Sequence, residues 1–256
     1  MLSAKSLRFS SVLLIALAFS SARFVMAATC SRSTIKGSYG AVLSGVSGGV
    51  VLDSGGLIVA DGTGKLNGTW TFNANGTVAS DVPFTGTYNV SSSCTGQADL
   101  VFSTGTVHFN IVVDSTNRWE LIETDNGTTQ SGYALAVGTH SCSNTEIRGA
   151  WSWLQMNAYL VSVGPGAFLG TTKLNGTGKL TGSAITESIN GQILSGLTAT
   201  GTYSANSDCT GTVTINVPGQ TSFPIAIVIV NNGQEMLGVG MLPTGVSIQT
   251  ATRIGN

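Results

Sequence analysis

Charge is scarce in this chain: only 9% of its 256 residues are Asp, Glu, Lys or Arg. Nucleic-acid binding rests on clustered Lys and Arg, and the few basic residues here are scattered, so no nucleic-acid partner is expected. Histidine is limited to His108 and His140, and the four cysteines form no CxxC pair. That combination excludes the usual zinc spacings, and no metal is expected. No segment outside the N-terminus has a helical period, so no G-x-S-x-G elbow on a strand-turn-helix is available for a Ser-His-Asp arrangement. No catalytic residue is assigned and no cofactor is implied. The apolar run Val12–Phe19 is far shorter than the ~20 residues of a spanning helix, no later run reaches that length, and no membrane span is expected.

What is abundant is glycine, with 34 residues, together with Ser, Thr and Asn. This is a strand-and-turn composition. The first residues read as a secretory signal: Lys5 and Arg8, an apolar core, then Val25-Met26-Ala27 with small residues for cleavage after Ala27. The mature chain is then secreted or periplasmic. Removing Lys5, Arg8 and Arg23 from the 11 basic residues leaves 8 against 12 acidic ones, a net charge of −4.

Two stretches of the chain are one stretch written twice. Cys30-Ser31 through Ile35-Lys36-Gly37-Ser38-Tyr39 returns 112 residues later as Cys142-Ser143 through Ile147-Arg148-Gly149-Ala150-Trp151. Gly62-Thr63-Gly64-Lys65-Leu66 matches Gly176-Thr177-Gly178-Lys179-Leu180, and Gly86-Thr87-Tyr88 with Cys94-Thr95-Gly96 matches Gly201-Thr202-Tyr203 with Cys209-Thr210-Gly211, the offset drifting only to 115. So long a period is a duplicated domain rather than a solenoid repeat. The expected division is a signal peptide at 1–27, repeat 1 at 28–138 and repeat 2 at 139–256. An even cysteine count at repeated spacing in an exported chain reads as disulfides. Of three possible connectivities the favoured one is Cys30 with Cys94 and Cys142 with Cys209, because a duplicated domain carries its own staple.

Turn signals divide repeat 1 into about eight strands, near 35–45, 49–60, 64–73, 77–90, 97–103, 106–113, 118–124 and 130–137. Asp61-Gly62, Asn75-Gly76 and Asn126-Gly127 supply hairpin chemistry. The alternation of Val107, Phe109, Ile111 and Val113 with polar residues gives one buried and one wet face. The fold class expected is all-β, two tandem antiparallel β-barrels of about eight strands each. An immunoglobulin sandwich is disfavoured because Tyr88 precedes Cys94 by six residues rather than two. The outward Thr, Asn and Ser do not suit an outer-membrane barrel.

Few side chains stand out as candidate sites. Glu120 and Glu235 correspond at offset 115 and each opens the seventh strand of its repeat; strand parity predicts that Glu235 points inward, as a ligand handle. Tyr88 and Tyr203 sit on a central strand of each repeat and are the other ligand-contact candidates. At the same offset Asn110 becomes Ile225 and Asp114 becomes Ile229, so the run Phe223–Val230 is apolar on both sides. Such a strand is covered on both faces. The expected cover is repeat 1 or a second chain, with Ile225, Ile227 and Ile229 at the contact; the alternative is an edge buried within repeat 2 itself. Asn67, Asn75, Asn89, Asn126 and Asn175 begin N-x-S/T triplets and are read as turns.

With Cys-Ser-x-x-x-Ile-(Lys/Arg)-Gly-x-aromatic, Gly-(Thr/Asn)-Gly-Thr and Gly-Thr-Tyr before Cys-Thr-Gly in view, the mature chain resembles exported bacterial proteins of uncharacterised function built from this module. More distantly it looks like the allene-oxide-cyclase-like and calycin-type barrels, whose members enclose small apolar molecules or, in the cyclases, isomerise one. That resemblance implies an exported, non-catalytic module that binds a small apolar ligand or a partner. The alternatives are a cyclase or isomerase on a calycin-type barrel and a structural cell-surface protein. The motifs themselves are turns and staples, which specify a fold rather than an activity.

Overall fold

A computed structural model describes residues 29–115 and 117–255; the signal peptide expected at 1–27 lies outside the described residues. The first eight strands are β1 (Gly37–Ser47), β2 (Val50–Ala60), β3 (Lys65–Ala74), β4 (Thr77–Val90), β5 (Thr95–Phe102), β6 (Gly105–Ser115), β7 (Arg118–Glu123) and β8 (Ser131–Ala136). Each pairs antiparallel with the next, and β1 pairs with β8 to close a barrel. The second eight are β9 (Gly149–Leu160), β10 (Gly164–Leu174), β11 (Lys179–Ile189), β12 (Gln192–Ala205), β13 (Thr210–Asn216), β14 (Phe223–Val230), β15 (Glu235–Gly240) and β16 (Gly245–Ile254), closed by β16 on β9. Closure leaves neither barrel with an open edge.

The strands begin and end where the sequence supplies turn chemistry. Asn75 and Gly76, at φ 49° and 93°, turn β3 into β4 with the positive φ that a two-residue hairpin requires. Of the five N-x-S/T asparagines, Asn75, Asn126 and Asn175 lie outside strands, whereas Asn67 and Asn89 lie within β3 and β4.

Disulfides Cys30–Cys94 and Cys142–Cys209 staple each barrel separately, closing 64 and 67 residues. Next to each staple a tyrosine ties the entry segment down: Tyr88 Oη donates to the Arg32 carbonyl at 2.9 Å, and Tyr203 Oη donates to that of Asn144 at 3.3 Å.

The barrels pack side by side through outward faces, β1 to β3 of the first against β14 to β16 of the second. Val42 and Leu57 join the second barrel's apolar cluster with Val228, Val230, Leu237 and Val239. The approach is close because Gly40 has no side chain: a Cβ there would come within 2.7 Å of Val230 and 2.8 Å of Val228. Polar groups are sealed in the same interface. Asn73, with no exposed surface, donates Nδ2 to the carbonyls of Gly240 at 2.7 Å and Gly245 at 2.8 Å. Asp53 is fully buried on the adjacent strand, paired across from Ser44 and Asn73, and neither carboxylate oxygen has a well-formed hydrogen bond. Burial pushes its carboxyl up to about 6, with the Ser44 hydroxyl acting the other way.

The β14 strand is covered on both faces, as its composition requires, but the faces are exchanged relative to the sequence expectation. Ile225, Ile227 and Ile229 point into the second barrel. A Cβ on Gly238 would meet Ile225 at 2.7 Å and Ile227 at 3.3 Å, while Val228 and Val230 touch the first barrel. Pairing explains the slip. Thr95 faces Val112 and Thr210 faces Val228, so the offset grows from 115 to 116 between those strands. The β13–β14 connection spans 217–222 where β5–β6 has only 103–104. Ile225 therefore matches inward Phe109, not outward Asn110, because one residue of register moves every side chain to the opposite face.

Candidate functional site

The two interiors differ. In the first barrel Trp70, Phe72, Phe84 and Phe102 form a continuous aromatic stack, with centroids 6.1 Å apart for Trp70–Phe84, 5.6 Å for Phe84–Phe102 and 5.2 Å for Phe72–Phe102. Tyr39 and Trp119 add an edge-to-face pair at 5.5 Å. The ring stack fills that part of the barrel.

Strand pairing identifies the corresponding positions in the second barrel. Trp70 opposite Val82 and Phe72 opposite Ala79 become Ile185 opposite Leu197 and Glu187 opposite Leu194. On β12 Ala199 replaces Phe84, and directly after β13 Val217 replaces Phe102, both at offset 115. Four rings thus become two aliphatic residues, one alanine and one carboxylate. Two aromatics move the other way, Phe168 for Ser54 and Phe223 for Val107, and stand at the wall. The result is a cavity of about 220 Å³ in the second barrel, at the end away from the disulfide.

Its walls include Phe168, Ile215, Val217, Phe223 and Leu242, and its polar lining includes Gln155, Glu187, Gln220 and Gln249. The lining reaches the surface at Ala167, Gln220, Thr221 and Thr244, which are exposed. Glu187 is 5% exposed and Gln249 2%. Gln220 Nε2 donates to Glu187 Oε2 at 2.7 Å, and Gln249 Nε2 donates to Ser247 Oγ at 2.8 Å. Among the described residues no Lys, Arg or His lines the cavity. A carboxyl group thus joins a mainly apolar lining that is open to a ligand.

The residues singled out from sequence lie elsewhere. Glu120 is on the outer face of β7, where Arg118 Nε donates to its Oε1 at 2.7 Å. Glu235 is paired with outward Val230 and Thr252, and points out of its barrel rather than inward. The two do not correspond: Met236 faces Ile229 as Trp119 faces Val113, which makes Glu235 the counterpart of Arg118. Tyr88 and Tyr203 are buried beside the staples with their hydroxyls engaged, and Tyr203 Oη also accepts from the Gly176 amide at 2.6 Å. Burial holds the Tyr88 hydroxyl above its ordinary range. None of these four lines the cavity.

Glu187 was missed. The available signal was the repeat alignment, but an extra residue in β11, Ala184 at φ 52°, shifts the offset from 114 to 115 within one strand. At 114 Glu187 would match outward Asn73; at 115 it matches inward Phe72. A β-bulge of this kind re-aims a side chain.

No protein-family model and no curated protein matches the chain. Among solved structures it is similar to the crystal structure of kievitone hydratase from Nectria haematococca, at 8% identity and a TM-score of 0.30, covering 86% of this chain and 90% of that one. So distant a likeness transfers no chemistry.

One further cluster brings His140, Cys142 and Cys209 within 4.8 Å of one another, with His140 Nε2 at 3.3 Å from Cys142 Sγ. Both sulfurs are joined in the disulfide, so neither offers a thiolate to a metal. Among the described residues no helix is long and apolar enough to cross a membrane.

Proposed function

We propose that this is an exported binding protein in which the second barrel holds a small ligand and the first is a filled scaffold docked against it. One observation carries the reading: Phe72 and Phe102 of the first barrel are replaced by Glu187 and Val217, which both line the second barrel's cavity. A ring stack lost without function would leave a void that costs stability, and a carboxylate in place of a ring costs more unless something compensates it. Eight strands leave an interior just wide enough for one small ligand. The two oxidised cysteine pairs support an oxidising destination, periplasmic or extracellular.

The test is native mass spectrometry of protein recovered from its own culture, with Val217→Phe as control. The expected outcome is a co-purifying small molecule on the wild type that is absent from the filled variant. A ligand retained in full by the filled variant would refute the cavity as its site.

A second reading has one observation behind it, the buried carboxyl of Glu187 in a hollow barrel. In an isomerase-like enzyme that group would move a proton on the enclosed molecule. Glu187→Gln separates the two once the molecule is known: an enzyme keeps it bound unchanged, while the wild type converts it.

A further inference from the structure

Building on the binding reading, we infer that the cavity's ligand is a small organic cation, with an ammonium group set against Glu187 and a compact apolar body against Phe168 and Phe223. The case begins with what Glu187 lacks. It is 5% exposed, its Oε2 accepts one hydrogen bond from the neutral amide of Gln220, and among the described residues its Oε1 has no partner. Among the described residues no basic side chain lines the cavity. The two ion pairs found among the described residues, His108–Asp125 and Arg118–Glu120, are both in the other barrel. A carboxyl group in a mainly apolar cleft has more to gain from an opposite charge than one on an open surface, and here that charge has room to come from the ligand.

The glutamine amides supply further acceptors. Gln220 spends one of its two amide donors on Glu187 and Gln249 one of its two on Ser247, and the carbonyl oxygens of both remain as acceptors. With Glu187 Oε1, these oxygens can accept from the N–H donors of an ammonium group. Phe168 and Phe223 add aromatic lining, whose ring faces attract cations. A metal ion is the poorer match, since hard cations take several carboxylates or carbonyls and this lining has a single carboxylate and no His or Cys.

Size bounds the apolar body. A cavity of about 150 Å³ holds benzene, so the 220 Å³ here accommodates one ring with a short aminoalkyl arm.

The experiment is calorimetric titration of the mature, disulfide-intact chain at neutral pH with two probes of equal shape, 2-phenylethylamine and 2-phenylethanol. The amine is protonated under these conditions and the alcohol is neutral. The expected result is at least tenfold tighter binding of the amine, with Glu187→Gln removing that preference while the alcohol's affinity changes less than threefold. Equal or tighter binding of the alcohol by the wild type overturns the cation while leaving the cavity as a binding site. Binding of neither probe at millimolar concentration overturns the cation and the single-ring size together; a co-purifying neutral molecule would still leave the binding reading standing. The wild-type comparison stands by itself should Glu187→Gln fold poorly.

Discussion

Asn73, on the first barrel, donates its side-chain amide to the carbonyl of Gly245, on the second, at 2.8 Å, and to that of Gly240 at 2.7 Å. Its Oδ1 accepts from the Gly76 amide at 2.9 Å, so one buried side chain joins the β3–β4 hairpin to the β15–β16 connection. That connection carries Leu242 and Thr244, two residues of the cavity wall. Asn73→Leu removes the bonds and leaves buried carbonyls without donors, each costing about 1–3 kcal/mol. The expected outcome is a melting midpoint lower by several degrees and weaker ligand binding. An unchanged midpoint in calorimetry would mean that this amide does not hold the barrels together.

Asp53 gives the interface a pH dependence of defined sign. Its carboxyl is raised by burial to about 6, above its unfolded value, so the folded protein binds the proton more tightly than the unfolded chain. Stability from this group is therefore present below about pH 4 and is lost as pH rises through about 6. Asp53→Asn removes the penalty: it stabilises the protein at pH 7.5 by about 1–3 kcal/mol and has little effect at pH 4. Denaturant melts of both proteins at the two pH values check this; equal gains at both would assign the effect to something other than titration.

Gly40→Val inserts a branched side chain where even a Cβ lies within 2.8 Å of Val228 and Val230. Overpacking typically costs about 1–3 kcal/mol. Each barrel has its own core and staple, so the strain is relieved by separation of the two. Expected are a larger radius of gyration in small-angle scattering and faster proteolysis near Gly138–Ser141, with strand content by circular dichroism retained.

Refilling the second barrel tests the origin of its cavity. Glu187→Phe with Val217→Phe restores two rings of the stack that Phe72 and Phe102 form at 5.2 Å. The double variant is expected to melt higher, since it removes a buried carboxylate and fills a void, and to bind no small molecule. A lower midpoint would show that Phe168 and Phe223 already occupy the space the rings would need.

Each staple acts on its own loop. In the chain-entropy model, cross-linking 64 or 67 residues stabilises by roughly 4 kcal/mol. Paired Cys30→Ser and Cys94→Ser substitutions should lower the unfolding free energy by that order, and peptide mapping of the variant should still find Cys142 joined to Cys209. Free thiols at Cys142 and Cys209 in that variant would show that the repeats do not fold separately.

The duplication, the turn chemistry and the cysteine spacing were enough to determine, from sequence alone, two closed antiparallel barrels with one staple each. These features are local or repeat at fixed spacing, so no long-range contact is needed to read them. Which side chains face the ligand was decided only in three dimensions. The Ala184 bulge moved Glu187 from an outward to an inward position, and the longer β13–β14 connection exchanged the two faces of β14. Strand side chains alternate with a period of two, so a single inserted residue, nearly invisible to repeat matching, reverses inside and outside for everything that follows until the next loop resets it. The docking of one barrel on the other was likewise settled by packing, because Gly40 and Asn73 acquire their roles only from what lies against them.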